Sequence, residues 1–121
     1  IGKDPDNATA LNALGYTLAD RGERLDDAYD YIKRAYELSP GDFYILDSMG
    51  WVLYRLGRLD EAIDFLQKAF DLRNDPEVAA HLGEVHWIMG NKQAAKAVWE
   101  TALQDTPADD RLLKVIERFS P

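Results

Sequence analysis

Glycines recur at a fixed step along this chain. Gly15, Gly50 and Gly83 stand 35 and 33 residues apart, and each is followed seven residues later by another glycine, Gly22, Gly57 or Gly90. Alanines keep the same interval: Ala28, Ala62 and Ala95 open a second segment, and Ala35, Ala69 and Ala102 close it. A period of about 34 residues is the signature of a helix–turn–helix solenoid, in which neighbouring units stack to complete one core. The fold class expected is therefore all-α: a right-handed superhelical array of three helix pairs plus a capping helix. The expected divisions are 1–7 as a linker or the end of a preceding repeat, then 8–41, 42–75 and 76–107 as the pairs, and 108–121 as the cap.

Apolar spacing supports a helix in each half-repeat. Leu11, Leu14 and Leu18 mark the first helix of one pair, and Leu46, Met49 and Leu53 that of the next. A glycine inside a helix costs about 1 kcal/mol relative to alanine. Recurrence of that cost at Gly15, Gly50 and Gly83 implies a packing need, a close approach by the second helix with Ala28, Ala62 or Ala95 against the glycine. Gly22, Gly57 and Gly90 are expected to stop the first helices in a left-handed conformation. The second helices carry Ala28, Ile32, Ala35 and Tyr36, then Ala62, Leu66, Ala69 and Phe70, then Ala95, Trp99, Ala102 and Leu103. Pro40 and Pro107 fall where a helix must end, while Pro76 fits the first turn of a helix with Asp75 as its N-cap. Two register defects are visible: Glu23-Arg24 adds one residue to the first inner turn, and the turn around Asn74 is one residue short. The segment from Ala108 to Phe119, with Leu112, Val115, Ile116 and Phe119 on one side, reads as the cap.

Composition narrows the function classes. A formal net charge of −8 argues against nucleic acid, which needs a basic stripe to neutralise phosphates. No apolar run reaches the roughly 18 residues of a membrane span, and direct membrane contact is not expected. With no cysteine there is neither a disulfide framework nor thiolate chemistry. The chain starts at Ile1 without a signal segment, and Asp4-Pro5-Asp6-Asn7 resembles the turn ending an earlier repeat. It is expected to be the C-terminal part of a longer protein.

The runs Leu14-Gly15, Leu18, Gly22, Ala28, Ala35, Pro40; Met49-Gly50, Leu53, Gly57, Ala62, Ala69; and Leu82-Gly83, Gly90, Ala95, Ala102, Pro107 resemble the tetratricopeptide repeat. The third copy departs most: His86 replaces Leu18 and Leu53, Ala79 replaces Leu11 and Leu46, and Lys92 replaces Leu25 and Leu59. It is expected to be the least well packed. A narrower resemblance lies in Leu46-Asp-Ser-Met-Gly-Trp-Val-Leu-Tyr-Arg-Leu-Gly-Arg-Leu-Asp-Glu-Ala and Asp75-Pro-Glu-Val-Ala-Ala-His-Leu-Gly-Glu-Val. These runs look like the C-terminal repeats of large proteobacterial outer-membrane lipoproteins. That resemblance implies a periplasmic home and service as an adaptor for a carboxyl-terminal-processing protease. Cytoplasm is the alternative compartment.

The tetratricopeptide resemblance also implies that first helices line a concave, partner-binding face. It nominates Asn12, Tyr16, Ala19 and Asp20; then Tyr44, Asp47, Trp51, Tyr54 and Arg55; then Glu77, Ala80, Glu84, Trp87 and Ile88. The functional reading is a groove with Trp and Tyr anchors, the residue types that dominate binding hot spots. Its acids, Asp47, Glu77 and Glu84, favour a partner segment rich in Lys or Arg. The alternative reading of the aromatics is packing between adjacent repeats. Members that capture a C-terminal carboxylate use a Lys/Arg/Asn clamp, whereas Asn12, Tyr16, Ala80, His81 and Glu77 stand here, so that mode is not expected.

No catalytic or metal site is expected. His81 and His86 are five residues apart, which turns a helix through roughly 140°, so one ion cannot easily hold both. His86 falls on the core stripe, and His81 is expected to pair with Glu77 and Glu84 at the surface. No phosphate loop or nucleophile elbow is present, and Ser48 lies in mid-helix. The acid pairs Asp26-Asp27, Asp60-Glu61 and Asp109-Asp110 sit at helix starts, where they complement the macrodipole. No cofactor is expected. The sequence reads as a non-enzymatic adaptor or scaffold. The rival is a structural cap or self-association segment of a longer array, and homo-oligomers are left open.

Overall fold

The computed structural model describes residues 7–120, so the expected turn at Asp4-Pro5-Asp6 and the segment 1–6 lie outside it. Every regular element among the described residues is an α-helix: α1 (Ala8–Arg21), α2 (Leu25–Leu38), α3 (Phe43–Arg55), α4 (Leu59–Leu72), α5 (Pro76–Ile88), α6 (Lys92–Asp105) and α7 (Asp110–Phe119). They fall into two compact units, the first ending at Ala69 and the second beginning at Phe70.

The helix starts alternate in kind. Asn7, Asp42, Asp75 and Asp109 each cap a helix by accepting a backbone N–H one or two residues into it. These are the starts of α1, α3, α5 and α7, and each such cap is worth about 1 kcal/mol. α2 and α6 have no side-chain cap. In α2 and α4 acids occupy the first turn instead, Asp26-Asp27 and Asp60-Glu61, where the positive end of the helix favours them. The last helix begins at Asp110 rather than Ala108 because Asp109 is its cap.

α1, α3 and α5 stop alike. Gly22 has φ 70°, Gly57 84° and Gly90 89°, and each donates its N–H to the carbonyl three residues back while the next residue donates five back. That Schellman geometry needs a left-handed residue, which glycine supplies without Cβ strain. The residue added in the first inner turn shows up as Arg24 at φ 46°, a left-handed non-glycine. Its Nε donates to Asp27 Oδ2 at 2.9 Å. The short turn at the end of α4 is held differently: Asn74 Nδ2 donates to the Thr101 carbonyl at 3.1 Å and to Asp105 Oδ2 at 2.9 Å, tying it to the end of α6.

Each mid-helix glycine lies against its second helix, as expected, but the occupant is larger than alanine. A Cβ on Gly15 would meet Ile32 and the Ala28 carbonyl, one on Gly50 would meet Leu66, and one on Gly83 would strike the Trp99 indole. Ile32, Leu66 and Trp99 are all at most 2% exposed. The third pair, expected to be the least well packed, closes its glycine slot as the other two do. Trp99 supplies there the volume that Ala79 gives up, stacks on Trp87 at 5.9 Å between ring centroids, and shares a core with Ala79, Ala80, Ala95, Ala102 and Leu112.

Candidate partner-binding surface

In the first unit, the nominated positions of α1 and α3 occupy neighbouring helices. Asn12 and Tyr16 are one turn apart on α1, and Tyr44, Asp47, Trp51 and Tyr54 follow one another at three- and four-residue steps on α3, so each set shares a helix face. Their exposure divides them. Tyr44 is 61% exposed, while Trp51 and Asp47 are 7% and 6% exposed. Asn12, Tyr16 and Tyr54 are half-buried. Trp51 and Asp47, and Ala19, which is fully buried, are therefore closed off from the partner-facing surface for which they were nominated. Trp51 lies 5.1 Å from Tyr54 between ring centroids, and Phe43 lies edge-on to Tyr44 at 5.2 Å. Along this face of α3, exposed Tyr44 is followed by buried Asp47 and Trp51 and then half-buried Tyr54.

Arg55 has a structural duty. Its Nε donates to the Ala19 carbonyl at 3.1 Å, so the guanidinium satisfies the C-terminal end of α1 and lies beside Gly22. Asp20 is exposed next to it.

The second unit treats its nominated residues differently. Glu77 pairs with Arg111 of α7 at 2.7 Å, and Glu84, 6% exposed, faces Arg118 of α7 at 4.0 Å. Trp87 is enclosed by its own unit: Trp99 stacks on it, Phe119 lies at 6.4 Å, and the Lys92 ammonium sits 5.1 Å from the ring centroid. Ala80 is 1% exposed, whereas Ile88 is 50% exposed. α7 thus occupies part of the face of α5 that sequence alone assigned to a partner. Apolar spacing within α7 carries no sign of this; the signal lies in the shared offsets from the caps Asp75 and Asp109, at which Glu77 meets Arg111 and Glu84 meets Arg118.

Of the two histidines, His86 is partly buried on the core stripe as expected, and His81 departs from expectation. His81 is 7% exposed and is no surface residue. His86 is half-buried with its Nδ1 enclosed and without a hydrogen-bond partner, and desolvation holds its imidazole below the ordinary pKa. Ser48, 3% exposed in mid-helix, lacks the access a nucleophile needs.

The family profile described as tetratricopeptide repeat matches residues 6–75, more than half of the chain. The chain belongs to the tetratricopeptide repeat family. A TPR repeat-containing protein of Pseudomonas aeruginosa is 51% identical over 84 residues, which is 69% of this chain but 14% of that protein. The chain thus spans only a small part of that relative's length. Among solved structures, MamA superposes with a TM-score of 0.79 at 27% identity, covering 95% of this chain and 67% of MamA. The first TPR of Spaghetti (RPAP3), bound to the HSP90 peptide SRMEEVD, superposes with a TM-score of 0.80 at 19% identity, covering 97% and 93%. The latter likeness is one of fold. Tetratricopeptide repeats are a fold for holding proteins and peptides rather than for catalysis, and no helix among the described residues is long and apolar enough to cross a membrane.

Proposed function

We propose that this chain is a non-enzymatic adaptor module that holds a protein or peptide segment on the α1–α3 surface of its first unit. Asn12, Tyr16, Tyr44 and Tyr54 are the contact residues, and Asp47 and Trp51, buried between Tyr44 and Tyr54 along α3, are not. One observation carries this reading: Tyr44 keeps 61% of its surface exposed on a rigid helix, where exposed aromatics cost solubility and serve recognition. Glu77, Glu84 and Trp87 contribute mainly by anchoring α7, and Arg55 by holding α1. The exposed acid at Asp20 favours a basic segment, in contrast to the acidic peptide held by the first TPR of Spaghetti (RPAP3).

The finer reading is that the partner is a carboxyl-terminal-processing protease and the compartment the periplasm, with anchorage at the outer membrane through the rest of the protein. It is supported by the resemblance of the runs 46–62 and 75–85 to proteobacterial repeat lipoproteins and by the identity with the Pseudomonas relative. The rival role as a terminal cap is favoured in the second unit by the engagement of Glu77, Glu84 and Trp87 with α6 and α7. Calorimetric titration of the purified protease into the chain and into a Tyr44→Ala/Tyr54→Ala variant tests both levels. Binding that weakens at least about tenfold in the folded variant supports the surface and the partner. Equal binding by both moves the site elsewhere. No binding to either removes the protease as the partner.

A further inference from the structure

Four helices of this chain follow one template. Asn7, Asp42, Asp75 and Asp109 cap α1, α3, α5 and α7 by accepting backbone N–H groups. Eight residues beyond the caps stand Gly15, Gly50, Gly83 and then Glu117. Two residues beyond stand Thr9, Tyr44, Glu77 and Arg111, and nine beyond stand Tyr16, Trp51, Glu84 and Arg118. Of the four helices, only α5 places two acids at these offsets and only α7 two bases. The pairs between them join equal offsets: Arg111 Nη1 lies 2.7 Å from Glu77 Oε1, and Arg118 Nη1 lies 4.0 Å from Glu84 Oε1.

Apolar packing alone leaves this alignment weakly specified. The apolar residues of α7 recur at one-turn spacing, so sliding it by four residues brings Ile116 to the place of Leu112 and Phe119 to that of Val115. The core they enter is built largely of alanine, with Ala79, Ala80, Ala95 and Ala102 beside Trp99. Such a surface has few protruding side chains to oppose a slide. The charges discriminate more sharply. After a one-turn slip in either direction, at least one of Glu77 and Glu84 has no base of α7 opposite it. Glu84 is 6% exposed, where losing a base is costly.

We propose that Glu77 and Glu84 form a two-point address on α5, read by Arg111 and Arg118, which sets α7 on α5 in a single register. Helices that share caps and apolar spacing have several near-equivalent ways to stack. Opposite charges at fixed offsets tell those ways apart, because every wrong one strands a charge. The address lies within the second unit and is independent of the α1–α3 surface.

The test is charge exchange in the full chain, read by hydrogen exchange of the α7 amides and by NMR detection of the contact between the Trp87 and Phe119 rings, whose centroids lie 6.4 Å apart. Arg111→Glu/Arg118→Glu is expected to lower α7 protection at least about tenfold and to remove the ring contact. Arg111→Lys/Arg118→Lys keeps the charges and is expected to keep both signals. Adding Glu77→Arg/Glu84→Arg to the glutamate variant is expected to restore them. Arg111 and Arg118 are exposed, so the α7 variants are expected to fold, and they decide the matter by themselves should the fourfold exchange unfold the chain at buried Glu84. Protection and ring contact unchanged in Arg111→Glu/Arg118→Glu overturn the proposal, because packing alone then sets the register. An equal loss in the lysine variant overturns it as well, since the guanidinium's packing and not its charge is then responsible. So does a folded fourfold variant in which α7 stays unprotected.

Discussion

Gly83→Ala is the substitution that most directly tests how the helix pairs close. In isolation it should help, because alanine in place of a mid-helix glycine is favoured by about 1 kcal/mol. Here the new Cβ would be driven into Nε1, Cε2 and Cδ1 of the Trp99 indole. That ring has little room to yield: Trp99 is 2% exposed and its face is stacked on Trp87. Overpacking of this kind costs roughly 1–3 kcal/mol, with a rigid neighbour placing the site at the upper end. Subtracting the propensity gain leaves a net loss of about 2 kcal/mol, or a fall in Tm of roughly 8 °C for a chain this size.

The assay is thermal unfolding followed by circular dichroism and by tryptophan fluorescence. Two further variants isolate the cause. Gly83→Ala/Trp99→Leu replaces the rigid indole facing the new Cβ with a smaller, more flexible side chain, so the double variant should be more stable than the sum of its single losses. Gly41→Ala, where an added Cβ meets nothing within 4 Å, should be neutral or slightly stabilising. A Gly83→Ala chain that melts at or above the parent temperature would refute the reasoning, because helix propensity would then outweigh the close approach.

Asn74→Ala removes two hydrogen bonds that tie the short turn to α6 and should cost about 1 kcal/mol in urea unfolding; an unchanged midpoint would show that the turn holds itself. Asp75→Ala deletes the acceptor for the Glu77 and Val78 N–H groups and should cost about 1 kcal/mol, with Asp75→Asn losing less. His86, whose pKa burial depresses in the folded state, sets a pH dependence with a defined sign. Above about pH 6.5 both folded and unfolded chains hold it neutral and it contributes no slope. Below that value the unfolded chain takes the proton first, so stability falls on acidification until folded His86 also protonates. His86→Leu should raise the melting temperature and flatten the curve between pH 7 and 5; an identical slope in parent and variant would assign the acid sensitivity to other groups.

Much of the fold was legible because each repeat writes its geometry in residues with one physical meaning. Gly22 marks a left-handed stop and Asp75 a cap, while Gly15 marks a close approach, and the structure holds each of them in that role. The residue that fills the slot was less legible, since Ile32, Leu66 and Trp99 share only size and position. Burial of Trp51, Asp47, Glu84 and His81 was not legible. Spacing within one helix gives its faces, but how far a face is covered depends on residues remote in sequence. Arg111 and Arg118 illustrate this: as members of a mixed-charge helix they look like ordinary solvated groups, yet they settle on Glu77 and Glu84. The Asp109 cap was a signal available in the sequence that α7 follows the first-helix register, and Glu117 is the residue that breaks it.

That shared register explains why the two units offer such different surfaces. Two residues beyond the caps of α3, α5 and α7 stand Tyr44, Glu77 and Arg111, and nine residues beyond stand Trp51, Glu84 and Arg118. Both ion pairs that join α5 to α7 link residues at equal offsets, Glu77 with Arg111 and Glu84 with Arg118. α5 and α7 are therefore aligned without slip, and opposite charges meet at the two positions that are aromatic on α3. Arg111 and Arg118 stand largely in solvent, so the pairs contribute little stability on their own, but like charges or a one-turn shift would lose both contacts at once, so they act chiefly to fix alignment. On α3 the same two offsets carry rings rather than charges, and one of them, Tyr44, keeps most of its surface in solvent. A chain that needed only to stack its repeats could have used charge pairs throughout. The exposed tyrosine there distinguishes the first unit from the second, and it is why we propose the recognition surface on the first unit.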